Sequence, residues 1–60
     1  MKIYTYTFYT PDGFPFDTKD ITVSDLAFPR ELDGYGFEEI DKYKADYFDV
    51  NNFTYELKED

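Results

Sequence analysis

Met1-Lys2-Ile3-Tyr4-Thr5-Tyr6-Thr7-Phe8-Tyr9-Thr10-Pro11-Asp12-Gly13-Phe14-Pro15-Phe16-Asp17-Thr18 is an alternating strand, a turn and a returning strand. Proline at the first turn position presets φ, aspartate can bond the turn backbone, and Gly13 accepts the left-handed conformation that closes a hairpin. Taking Thr10 opposite Phe14 places Phe8 opposite Phe16 and Tyr6 opposite Thr18. Tyr4, Tyr6, Phe8, Phe14 and Phe16 then share the face expected to form the core, because side chains alternate along a strand.

The first strand is read over residues 2–10 and the second over 14–18. Ile3, Thr5, Thr7 and Tyr9 leave the first strand's other face only moderately polar, so this strand is expected inside the sheet with a further partner on its far side. Pro15 lacks an amide donor and marks the second strand as an edge, which the neighbouring Asp17 also suits.

Working outward, Lys19 to Ser24 can either extend the second strand or leave the sheet. Ser24 offers a cap before at most one helical turn, since Pro29 disfavours helical geometry at Phe28. Asp33-Gly34-Tyr35-Gly36 reads as a loop. A helix is expected over about residues 37–45, with Phe37, Ile40, Lys44, Tyr47 and Phe48 on one side and Tyr43 at its margin. Glu38 and Glu39 would occupy its first turn, where the helix dipole favours acids. Asn51-Asn52 can form a two-residue turn between strands near 46–50 and 53–58, pairing Val50 with Phe53 and Phe48 with Tyr55. The expected architecture is therefore a small α+β domain: an antiparallel sheet of about four strands in two hairpins, covered on its aromatic face by one short helix.

Sixty residues bound the chain to one domain with a marginal core. There is no cysteine and no histidine, so neither a disulfide nor a thiolate or imidazole metal site can staple it. Seven tyrosines and seven phenylalanines are the compensating source of buried area. No apolar run approaches the roughly 18 residues that span a bilayer, and the first residues read as a strand instead of a signal segment. A soluble, cytoplasmic protein is the resulting expectation.

Chemistry is sparse. Ser24 is the only serine and has no histidine to activate it. Carboxylate pairs abound, but a domain this small has little room for a desolvated cleft that would raise one pKa, so no enzymatic activity is expected. Asp49-Val50-Asn51 opens like a calcium loop, yet Phe53 and Thr54 occupy positions where a ligand and a glycine are needed. No metal or other cofactor is expected. The aromatic sheet superficially suits base stacking, but Lys2 and Lys19 are too few to hold phosphates, which argues against direct nucleic-acid binding.

What remains is a net charge of −8. It repels phosphate backbones and anionic membranes and attracts basic partners. The acids are spread in runs no longer than two, so they belong to a folded body and not to an acidic tail. Fixed carboxylates can imitate duplex phosphates in the basic cleft of a nucleic-acid-processing enzyme and so inhibit it. In size and charge alone, the chain resembles the small acidic inhibitors that phages and mobile elements direct against host nucleases and other DNA-binding enzymes. The expected partner-binding residues are Asp33, Glu38, Glu39, Asp41, Asp46 and Asp49, with Tyr35 and Tyr43 as anchors. The alternatives are an assembly module that homodimerises through exposed aromatics, and an acidic surface that serves solubility only.

Overall fold

In the computed structural model, which describes residues 1–46 and 49–58, β1 (Lys2–Tyr9) and β2 (Pro15–Val23) form the expected hairpin. Gly13 N–H donates to the Thr10 carbonyl at 2.9 Å and Thr10 N–H to the Phe14 carbonyl at 3.0 Å. Gly13 has φ of 88°, the left-handed value the turn requires.

Beyond the turn the register departs from expectation. Tyr9 faces Pro15, but Phe8 faces Asp17 and Tyr6 faces Lys19, leaving Phe16 as an extra residue in the ladder. A bulge is tolerated beside Pro15 because that residue donates no ladder bond. Its consequence is that Asp17, Lys19 and Ile21 join Tyr4, Tyr6 and Phe8 on the covered face, while Phe16 still packs against the core. Asp17 is therefore not simply an outward edge residue. Phe14, expected in the core, is 69% exposed at the turn.

The segment left open at Lys19–Ser24 continues β2 as far as Val23, which is buried. β3 (Asn52–Leu57) lies on the other side of β1, antiparallel to it, giving the order β2-β1-β3. β1 is thus the central strand, as its two weakly polar faces require. Among the described residues, three strands form the sheet, not about four. Asp49 and Val50 are not in a strand; Asn51 N–H reaches the Tyr9 carbonyl at 3.3 Å, and Asn52 already belongs to β3. The open side of β1 offers the segment a longer ladder than a short local hairpin could. Tyr47 and Phe48, read from sequence as helix-face or strand residues, lie outside the described residues.

The helix α1 spans Pro29–Asp46, so it begins well before Phe37 and absorbs the expected loop at Asp33–Gly36. Pro29 starts it instead of stopping the chain: at the first helical position the missing N–H has no helical acceptor to lose. The Phe28 carbonyl receives the Glu31 and Leu32 N–H groups at 2.9 and 3.2 Å. Ser24 closes a preceding turn, its Oγ accepting the Leu26 N–H at 3.2 Å.

The earlier start also changes the buried stripe, which is Leu32, Gly36, Glu39, Ile40 and Tyr43. Ile40 and Tyr43 fit the expected face, but Phe37 and Lys44 are exposed. Gly36 lets the helix approach β3 closely, with the Phe53 ring against its backbone. The core joins Tyr6, Phe8, Ile40, Tyr43 and Val50, flanked by Tyr4, Phe16, Ile21, Phe53 and Tyr55. Tyr43 bridges the two layers, its ring edge-on to Phe8 at 5.1 Å and to Phe16 at 5.3 Å. Such pairs add roughly 0.5–1.5 kcal/mol beyond area burial. Among the described residues, no helix is long and apolar enough to cross a membrane.

Candidate partner-binding surface

The phase of α1 divides the acids that the sequence places close together. With 100° per residue and Leu32, Gly36, Ile40 and Tyr43 facing the sheet, Glu31, Glu38 and Asp41 point to solvent. All three are exposed, and Tyr35 joins them at 36% exposure. Glu39 instead forms one margin of the buried stripe, and the half-buried Asp33 borders the other.

Asp33 faces β3, where its Oδ1 accepts the Tyr55 hydroxyl at 3.0 Å. That bond, reinforced by burial, holds the Tyr55 phenol above its ordinary pKa. Glu39 faces β2 and is 9% exposed. Its two oxygens receive Lys19 Nζ at 2.9 Å and Lys42 Nζ at 3.2 Å. Burial alone would push the Glu39 carboxyl up, but the hydrogen bonds from Lys19 and Lys42 together hold it below the usual carboxylate range. Tyr43 is buried, and its hydroxyl donates to Asp17 Oδ2 at 2.8 Å.

These inward contacts leave Glu39 and Tyr43 within the fold, not on its surface. Glu38 and Asp41 lie on one exposed face. Asp46 is the last residue of α1, and Asp49 is exposed beside the hairpin turn, where it lines an open, largely apolar concavity with Thr10, Pro11, Asp12 and Phe14. Glu31 was missed by sequence reasoning because it fell before the expected helix. The legible signal was Glu31, Tyr35 and Glu38 at i, i+4 and i+7, once Pro29 is taken as the first helical residue.

Elsewhere the acids are engaged or dispersed. On the uncovered face of the sheet, Asp20 accepts Lys58 Nζ at 2.7 Å and Thr5 Oγ1 at 2.9 Å, and these bonds lower its pKa. The Met1 amino group lies 3.1 Å from Asp25. Asp12 and Glu56 are exposed at the turn and on β3. Among the described residues, no group of three or more acids is placed to hold a metal ion. Phe53 and Thr54 lie in the β3 ladder, so the stretch beginning at Asp49 does not form a calcium loop.

Comparison with protein-family models, curated proteins and solved structures finds no match to this chain. The arrangement of charge is therefore the basis for a functional reading.

Proposed function

We propose that this is a non-enzymatic binding protein whose outward α1 face docks on a basic surface of a partner. The observation that carries the reading is the common exposed face of Glu31, Tyr35, Glu38 and Asp41, on a helix fixed to the sheet by its opposite side. A preformed helix presents these carboxylates without a backbone ordering cost at binding, and a partly exposed tyrosine among them supplies an anchor. The Glu39–Lys19 and Glu39–Lys42 pairs support that arrangement.

A nucleic-acid-binding enzyme in the cytoplasm is the finer form of the proposal, because its cleft already carries the required lysines and arginines. The exposed acids are divided among α1, the back of the sheet and the turns, and Arg30, Lys42 and Lys44 lie on the same helix. That distribution favours docking of one helical face over imitation of a long duplex.

The test compares two triple variants of equal net charge, E31Q/E38Q/D41N and D12N/D49N/E56Q, for binding to an oligolysine peptide by fluorescence anisotropy at ~50 and ~300 mM salt. The α1 variant is expected to weaken binding at low salt by roughly 5-fold more than the control. Equal losses in the two variants mean that net charge alone attracts the peptide, and they would overturn the assignment of the face.

A further inference from the structure

The sheet has two outer edges, and they are built differently. β2 carries Pro15, the bulge at Phe16 and the charged residues Asp17, Lys19 and Asp20, devices that discourage another strand from pairing. β3 has neither proline nor bulge along Asn52–Leu57. Lys58 N–H donates inward to the Ile3 carbonyl at 2.8 Å. By strand alternation, the backbones of Glu56, Thr54 and Asn52 also face β1, whereas those of Phe53, Tyr55 and Leu57 face outward.

Two of the exposed large apolar side chains, Phe37 and Leu57, lie along the same edge. Leu57 is 50% exposed, and Phe37 is 60% exposed although its ring stands edge-on to Phe53 at 5.3 Å. β3 is also self-complementary about Tyr55. In an antiparallel pairing that sets Tyr55 opposite Tyr55 of a second copy, Phe53 meets Leu57, Thr54 meets Glu56 and Asn52 meets Lys58. No like charges stand opposite one another, and the exposed Leu57 is brought beside Phe53 and its overlying Phe37.

We infer that two copies of this chain pair through β3 into a continuous six-stranded sheet, with both helices on one face and a two-fold axis at Tyr55. The central bonds are the reciprocal Tyr55 N–H to Tyr55 carbonyl pair, supported by Leu57 N–H to Phe53 carbonyl. The Phe53 N–H is already held by Asn52 Oδ1 at 2.8 Å and contributes no bond across the axis. The pairing removes an open edge and enlarges the core of a chain with little apolar area to bury. It is opposed by the net charge of −8 on each copy, so it strengthens as salt screens that repulsion. This sign is opposite to that of basic-partner binding.

A chain this short is accessible to chemical synthesis, which allows the edge to be altered without touching a side chain. Sedimentation of the wild type is compared with a version N-methylated at the Tyr55 amide, whose hydrogen points away from β1, and with F37A; circular dichroism checks that each is folded. The wild type is expected to dimerise between ~10 μM and ~1 mM, more tightly at ~500 than at ~50 mM salt. N-methylation is expected to weaken association by roughly 10-fold, and F37A to weaken it in the same direction. A wild type that stays monomeric at ~1 mM in high salt overturns the inference, as does a dimer that the N-methyl group leaves unchanged.

Discussion

Gly36 on α1 and Phe53 on β3 are in direct contact, and a Cβ at position 36 would overlap the Phe53 ring. The ring has little freedom to retreat, because it is packed with Tyr6, Phe8, Phe37 and Tyr55. Gly34, two residues earlier on the same helix, has open space around the equivalent position. Alanine in a helix gains up to about 1 kcal/mol over glycine, whereas overpacking costs about 1–3 kcal/mol or more. Gly34→Ala should raise the midpoint of urea unfolding and Gly36→Ala should lower it. A Gly36→Ala protein at least as stable as wild type would show that the helix does not approach the sheet this closely.

Acid should weaken the fold through Glu39. Its folded pKa lies below the ordinary value of 4.5, since the hydrogen bonds from Lys19 and Lys42 outweigh the burial that would raise it. A depressed carboxylate contributes stability that is full above its unfolded pKa and is lost as pH falls through the folded value. Glu39→Gln should cost about 1–2 kcal/mol at pH 7, less than a fully buried pair because both lysines reach solvent. It should also flatten the decline in thermal stability from about pH 5 to 3. Parallel acid profiles for wild type and E39Q would contradict this role.

At the alkaline end Tyr6 acts alongside Tyr55, whose phenol is also raised, and Tyr6 is the more deeply buried of the two. Burial, reinforced by the neighbouring Tyr55 and Asp33, pushes its phenol from 10.0 up to about 12, and its hydroxyl donates to the Leu32 carbonyl at 2.6 Å. The folded state keeps this proton longer than the unfolded chain does. The associated stability is therefore complete below about pH 10 and declines as pH rises to about 12. Tyr6→Phe should be less stable at neutral pH by roughly 1 kcal/mol from the lost bond, and should show a shallower decline above pH 10. Urea titrations at pH 8, 10 and 11 would measure both effects.

Asp17 and Tyr43 test the bulge. Only the shifted register puts Asp17 on the helix side, 2.8 Å from the Tyr43 hydroxyl. A double-mutant cycle of Asp17→Ala and Tyr43→Phe should give a coupling of roughly 0.5–2 kcal/mol. Additive effects would place Asp17 outside hydrogen-bonding reach, as the unbulged register implied.

Much of this architecture was legible because its determinants are local. Pro11-Asp12-Gly13 specifies the turn through its backbone angles, and the alternation of Tyr4, Tyr6 and Phe8 identifies a buried face. The weakly polar Ile3, Thr5, Thr7 and Tyr9 mark β1 as central. The acid excess required no structure to recognise. The helix start was less legible because Pro29 has two local meanings, a barrier to helical geometry at Phe28 and a favoured first helical residue. Gly34 and Gly36 pointed to a loop because both are poor helix formers, and the close approach that Gly36 permits depends on the Phe53 ring across the interface.

The amino-acid order determined a hairpin, an aromatic core, an α+β class and the sign of the surface charge, all through preferences acting over a few residues. Only tertiary structure decided that β3 would pair with β1, that Phe16 would bulge, and that Glu39 would turn inward to Lys19 while Glu38 stayed in water. Those outcomes depend on which surfaces meet after the chain has folded back on itself, and a helix phase or a strand register moved by one residue exchanges buried groups for exposed ones.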